Sequence, residues 1–199
     1  MRRAMNRRKN ATAFALLFMT IVAGCGGPSE SAEASAQSSN EALSAGGDPL
    51  FKLLLQDSTR LDHFYTTNWN EVMSAQAAGY LDYGPVGRCF STQIAGTVPL
   101  FRLYSQVAVD HFYTTSAAER SAAVAQGYAF EGVACFVFPS NAAGTCPFYR
   151  YYFYSNSPVG DQDHFYTESA REGALAVQSG YRYEGVAAFL SPYGDSCPQ

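Results

Sequence analysis

The sequence predicts a mainly β chain with one short helix per repeat. This is an α+β domain of three repeats closed with pseudo-threefold symmetry, in the manner of a β-trefoil or a propeller. Three observations predict it. The pentapeptide Asp-His-Phe-Tyr-Thr recurs at residues 62–66, 110–114 and 163–167 and takes in all three histidines, His63, His111 and His164. At one spacing from each His follow an Asn or Ser (Asn68, Ser116, Ser169), a Glu (Glu71, Glu119, Glu172) and a Gly-Tyr pair (79–80, 127–128, 180–181). Upstream, each unit opens on Pro and an aromatic-basic stretch: Pro49-Leu-Phe-Lys-Leu, Pro99-Leu-Phe-Arg-Leu and Pro147-Phe-Tyr-Arg-Tyr. A unit of about 50 residues that cannot bury its apolar face alone must stack or close against its siblings. Three equal units without a capping repeat close most economically into a ring with short protected edges.

Before the repeats, Arg2, Arg3, Arg7, Arg8 and Lys9 precede an apolar run over residues 11–23. That run is shorter than the roughly 20 residues a bilayer-spanning helix needs, so residues 1–24 read as a signal peptide. It ends in Val22-Ala23-Gly24-Cys25, which resembles the bacterial lipobox, where the chain is cut before the Cys and its thiol is acylated. Cys25 is the expected lipidation site, and the membrane is contacted through this N-terminal lipid. Gly26 stands where an Asp is associated with inner-membrane retention, so the expectation is an exported protein anchored in the bacterial cell envelope at the outer membrane. Residues 25–47 form the lipidated Cys and a tether rich in Gly, Ser, Ala and Glu, with no aromatic residue to anchor a core. A coil of about 22 residues holds its cargo roughly 25 Å away on average.

The folded part is residues 48–199, with repeats over about 49–98, 99–146 and 147–192. In each, the opening stretch and the His-Phe-Tyr-Thr segment alternate apolar and polar positions and read as two strands of a hairpin. Ser116-Ala-Ala-Glu119, matched by residues 68–71 and 169–172, is a capping box in which the Glu is expected to reach back to the cap's own N–H. It opens an Ala-rich helix of about ten residues, closed by Gly79, Gly127 or Gly180 in left-handed backbone. A third strand follows, Tyr128-Ala-Phe-Glu-Gly-Val-Ala-Cys-Phe-Val-Phe in the second repeat. Repeat 1 departs here, with Tyr83-Gly-Pro-Val-Gly in place of aromatic-Glu-Gly-Val-Ala, and with Leu54 where Tyr104 and Tyr152 stand.

Without the five basic residues of the signal, 8 of the 13 Lys and Arg face 17 Asp and Glu, a balance that argues against nucleic acid as a partner. Besides Cys25, four cysteines remain, and in an exported chain an even number predicts disulfides. Cys89 and Cys135 stand at matching places of repeats 1 and 2, while Cys146 and Cys197 bracket repeat 3. The expected pairs are therefore Cys89 with Cys135 and Cys146 with Cys197.

The run Asp-His-Phe-Tyr-Thr-Thr-Ser-Ala-Ala-Glu-Arg, with the Gly-Tyr pair and Glu-Gly-Val-Ala-Cys-Phe-Val, resembles an uncharacterised repeat domain of secreted bacterial and fungal proteins. The resemblance covers residues 49–192. Its occurrence in threefold sets, alone or beside extracellular hydrolases, implies a binding accessory more than a catalyst.

Within a strand, His111, Tyr113 and Thr115 share one face and Asp110, Phe112 and Thr114 the other, so one face is expected to be core and one open. For the same reason Asp110 cannot orient its neighbour His111 as a triad acid would. If the His face is open, each full repeat offers an imidazole, a Tyr and a strand-three Glu, a set suited to stacking on a sugar ring and bonding its hydroxyls. The candidate ligand-binding residues are His111, Tyr113, Tyr104 and Glu131 in repeat 2, His164, Tyr166, Tyr152 and Glu184 in repeat 3, and His63 and Tyr65 in repeat 1. The bland reading is that the histidines and most of the 14 Tyr and 14 Phe fill an aromatic core. Three imidazoles meeting on an axis could hold zinc, but nothing else marks a metal site, and no catalytic residue, metal or cofactor is expected. The leading function is a lipid-anchored binding module for carbohydrate or another cell-surface polymer. The alternatives are a cell-envelope hydrolase, which lacks a nucleophile motif such as Gly-x-Ser-x-Gly, and a structural or protein-interaction scaffold.

Overall fold

A computed structural model describes residues 46–155 and 162–198. The signal peptide, Cys25 and all but the end of the tether lie outside the described residues. Among the described residues, no helix is long and apolar enough to cross a membrane.

Each repeat runs strand, strand, helix, strand. The first holds β1 (Asp48–Gln56), β2 (Leu61–Thr66), α1 (Trp69–Ala77) and β3 (Leu81–Cys89). The second holds β4 (Val98–Ser105), β5 (Asp110–Thr114), α2 (Ala117–Ala125) and β6 (Ala129–Val137). The third holds β7 (Cys146–Tyr154), β8 (Gln162–Thr167), α3 (Ala170–Gln178) and β9 (Arg182–Leu190). The strands form three separate antiparallel sheets, ordered β2-β1-β3, β5-β4-β6 and β8-β7-β9. The sheets do not join into a closed barrel, so of the two expected closures the arrangement is the propeller-like one. Strands β2, β5 and β8 pack against one another in the middle. At the far end the third strands are tied by backbone bridges Phe90 to Phe136, Phe138 to Phe189 and Arg88 to Ser191.

The helices begin and end as the sequence requires. Ser116 and Ser169 accept from the N–H of Glu119 and Glu172, and Asn68 from that of Asn70. Gly79, Gly127 and Gly180 close the helices at φ near 100°. There the N–H of the following Tyr80 turns back to the Ala75 carbonyl, as in a Schellman ending. The other arm of the capping box differs from expectation. A Thr hydroxyl stands between the two groups: Thr114 accepts the Ser116 N–H at 3.0 Å and itself donates to Glu119, and Thr66 and Thr167 do the same. The Glu carboxylates are thereby left free to reach the next repeat.

The expected division into a core face and an open face of β2, β5 and β8 is also corrected. Every residue of β5 is buried. These strands are covered on one side by a helix and on the other by the sister strands, so neither face is open, and the edges of the His63 and His164 rings reach solvent. Tyr65, Tyr113 and Tyr166 are wholly buried and form the middle of the main core with Leu50, Leu100 and Phe148. Each hydroxyl donates to one neighbour's carbonyl at 2.7 Å and accepts that neighbour's backbone N–H at 2.8 Å: Tyr65 on Tyr166, Tyr166 on Tyr113 and Tyr113 on Tyr65. Facing edges of β2, β5 and β8, left without sheet partners, are thus satisfied by side chains. Smaller clusters, such as Leu53, Phe64 and Val72, lie under each helix.

Both disulfides form as expected, Cys89 with Cys135 and Cys146 with Cys197. The first joins residues that share a local setting, Arg-Cys-Phe and Ala-Cys-Phe, but not a level in the fold. By pairing register, Cys89 lies level with Val137 and Leu190, opposite Asp48, Val98 and Cys146, whereas Cys135 lies level with Gly87 and Ala188. β3 and β6 have the same length of nine residues and the same register on β1 and β4, so Cys89 matches Val137 and the half-cystine of repeat 2 stands two residues earlier on its strand. Gly87, level with Cys135 and Ala188, stands where a Cβ would lie 2.7 Å from Oε1 of Glu168. Glu168 occupies that gap, buried, with neither carboxyl oxygen hydrogen bonded. Burial pushes its carboxyl up to about 9.

Candidate functional site

At every seam between repeats, a carboxylate from one repeat holds a histidine of the next. Asp62 accepts the His111 backbone N–H at 2.8 Å and its Nδ1–H at 2.7 Å. Asp110 does so for His164, and Asp163 for His63, closing the cycle. A tyrosine from the Asp's own repeat, Tyr80, Tyr128 or Tyr181, donates to the same carboxylate at 2.5 Å. Burial raises all three phenols, with the adjacent aspartate adding to it, so each stays a donor. Burial also pushes the Asp110 carboxyl up, but His164, by charge and hydrogen bond, and then Tyr128 hold it below the usual carboxylate value.

The three aspartates are fully buried and bring one oxygen each within 4.8 Å of the others. Among the described residues this is the one grouping with metal-ligand spacing. Its oxygens already take a backbone N–H, an imidazole and a phenol, which account for the carboxylates as the joint between repeats. The imidazoles do not meet on the axis. Their Nδ1 atoms turn to the aspartates, and the His63 and His164 rings open into separate clefts.

The seam between repeats 1 and 2 brings together Tyr104, His111 and Glu131. The Tyr104 and His111 ring centroids are 4.5 Å apart, and Nε2 of His111 lies 3.8 Å from Glu131. Arg102 bonds Glu71 with both terminal nitrogens at 2.9 Å and Glu131 with Nε at 2.8 Å, its guanidinium lying over Phe64. That fork draws the Glu71 carboxyl below its ordinary value. The cleft between repeats 2 and 3 repeats the set: Tyr152 lies 4.6 Å from the His164 ring, Nε2 is 4.0 Å from Glu184, and Arg150 hydrogen bonds Glu119 and forms an ion pair with Glu184 at 3.1 Å. It encloses roughly 300 Å³. Tyr104, Tyr152, Glu131 and Glu184 are partly exposed there.

The structure therefore gathers six of the ten expected residues into two like clusters, of which that at His164 lines a cleft. His63 opens into a cleft of its own that lacks the partner Tyr and Glu. Tyr65, Tyr113 and Tyr166 are withdrawn from the list, because burial on the axis leaves them no surface for a ligand. Sequence reasoning missed Arg102 and Arg150, whose signal was a cation inside an alternating apolar strand. It also missed Phe64 and Phe112, which pack on the next repeat's histidine at 4.7 Å.

With Nδ1 turned to aspartate, the His111 and His164 imidazoles present Nε2 beside a carboxylate and an aromatic ring. Such a set accepts hydrogen bonds from hydroxyl groups and stacks on a ring face. Among the residues lining the cleft between repeats 2 and 3 there is no Ser, Thr or Cys to act as a nucleophile.

No curated protein and no solved structure matches the chain. A family model described as a domain of unknown function (DUF5648) matches residues 32–191, which takes in all three repeats, and the chain belongs to that family.

Proposed function

We propose that this is an exported binding module, anchored in the cell envelope by a lipid on Cys25, that holds carbohydrate or a related hydroxyl-rich surface polymer in the clefts between repeats 1 and 2 and between repeats 2 and 3. The observation that carries the reading is the recurrence, at two seams, of a partly exposed Tyr ring against an imidazole whose Nε2 stands about 4 Å from a carboxylate. Two acceptors at that spacing suit neighbouring hydroxyls of one sugar, and the ring supplies an apolar face for its C–H side. Each cleft is shallow and binds weakly alone. Two on one rigid body, tethered to a surface, gain avidity on a repeating polymer.

A hydrolase is the second reading, favoured by the aspartate-oriented imidazoles, which hold a tautomer suited to general-base work. It requires a nucleophile or an activated water that the lining residues do not mark. The test is a panel of glycans and cell-wall polysaccharides presented to residues 46–199, made with both disulfides formed, beside the Glu131→Gln, Glu184→Gln variant. The binding reading expects retention of an unaltered polymer and its loss in the variant. Release of shortened products would replace it with the hydrolase, and no retention of any polymer would move the function to a protein partner or scaffold. Labelling with radioactive palmitate, lost in Cys25→Ala, tests the anchor.

A further inference from the structure

The third cleft, between repeats 3 and 1, has the same frame and different chemistry. Lys52 stands in place of the arginine, Leu54 in place of the tyrosine, Leu175 in place of Ala122, and Tyr83 in place of the strand-three glutamate. Its cavity is roughly 220 Å³, rimmed by the exposed Tyr83 and Leu175 and floored by Phe165. The Lys52 ammonium bonds Glu172 and lies 5.3 Å from the Phe165 ring centre and 5.6 Å from that of Tyr83.

The charge balance differs accordingly. In each of the other clefts one guanidinium meets two carboxylates, and one of these faces Nε2 of the histidine and repels an anion from it. Here one ammonium meets one carboxylate, and nothing acidic occupies the place of Glu131. His63 is held by Asp163 at 2.6 Å through Nδ1, as its sisters are, so Nε2 opens toward the cavity beside Tyr83 and Lys52.

We propose that this third cleft binds a carboxylate carried on a ring, with the acid on Nε2–H of His63 and the ring against Tyr83 and Leu175. The site stands whether or not the other two clefts take sugar. A neutral imidazole offers the acid only a lone pair, so the anion is held by the doubly protonated ring, with Nδ1–H on Asp163 and Nε2–H on the ligand. The charged and titratable groups facing His63 here are Asp163, Lys52, Glu172, Tyr83 and Tyr181.

The chain contains three histidines, one per cleft, so a proton–nitrogen spectrum of the imidazoles reads each site separately. The experiment titrates the exported full chain, both disulfides formed, with benzoate and with glucuronate, and with benzamide and glucose as their neutral counterparts. The proposal expects at least one acid to shift the His63 Nε2 resonance at a concentration tenfold or more below its neutral counterpart, leaving His111 and His164 unmoved. Which acid does so tells a flat ring from a sugar ring. The response must disappear in Tyr83→Glu, and in Leu54→Tyr should that variant fail to fold. No response to either acid overturns the proposal, as does an equal response to benzamide or equal movement of all three rings.

Discussion

Asp62 of the first repeat, and not the adjacent Asp110, holds His111: the Nδ1 to Oδ2 distance is 2.7 Å across the seam between repeats. The pair therefore does two things at once. It locks one repeat to the next, and it fixes which imidazole nitrogen faces the cleft. Because the same bond recurs at all three seams, the pieces that close the ring also orient the ring nitrogens of the candidate sites.

Replacing Asp110 by Asn tests the seam. The amide keeps an acceptor for the His164 N–H but sets its own NH2 against two donors, the imidazole and Tyr128. A loss of about 2–4 kcal/mol is expected in denaturant unfolding. The carboxyl is held below its ordinary value in the fold, so its stabilisation is present above the usual carboxylate range and is lost as pH falls through the folded value. The variant should therefore lose less stability than the parent on acidification.

Tyr113→Phe removes one hydroxyl and leaves both the buried N–H and the buried C=O of Tyr65 without partners. The expected cost is about 2–4 kcal/mol, large for the loss of one oxygen atom. Thermal unfolding of the variant measures it. A change within experimental error would mean that the tyrosine ring on the axis is dispensable.

Glu168 gives the opposite pH dependence. Its folded value of about 9 exceeds the ordinary 4.5, so the neutral acid is favoured inside and stability falls as pH rises between these limits, by about 1.4 kcal/mol per unit. In Glu168→Gln that slope should vanish between pH 5 and 8.5. Thr67 and Thr115 hold the corresponding place in the other repeats, so the burial of an acid here is peculiar to repeat 3 and to the gap at Gly87.

Much of this was legible because it is local. Strand alternation, cap residues and the closing glycines act within one repeat, and their spacing from each His fixed the element order. The disulfide partners were legible too, although the shared Cys-Phe setting hid that Cys89 stands two residues farther from its His than Cys135 and so sits at a different level. What could not be read was which face of a strand turns to the axis. Alternation separates Asp110 from His111 without saying that Asp110 serves His164, since that depends on how the repeats rotate past one another. For the same reason Tyr113, on the face of His111, was taken for a ligand contact when it is the middle of the core. Arg102 was visible as a cation in an apolar strand, but its two carboxylates lie 31 residues before it and on the strand after it.

The clefts themselves are tested most directly through Tyr104 and Tyr152, which line them without belonging to the aspartate network. Retention on the glycan and polysaccharide panel should be measured for the parent, for Tyr104→Ala and Tyr152→Ala singly, and for the double variant, each with its melting temperature. The account predicts that either single change weakens binding and the double change removes it while the fold stays intact. A double variant that melts like the parent and binds like it, or a parent that retains no polymer, would contradict it.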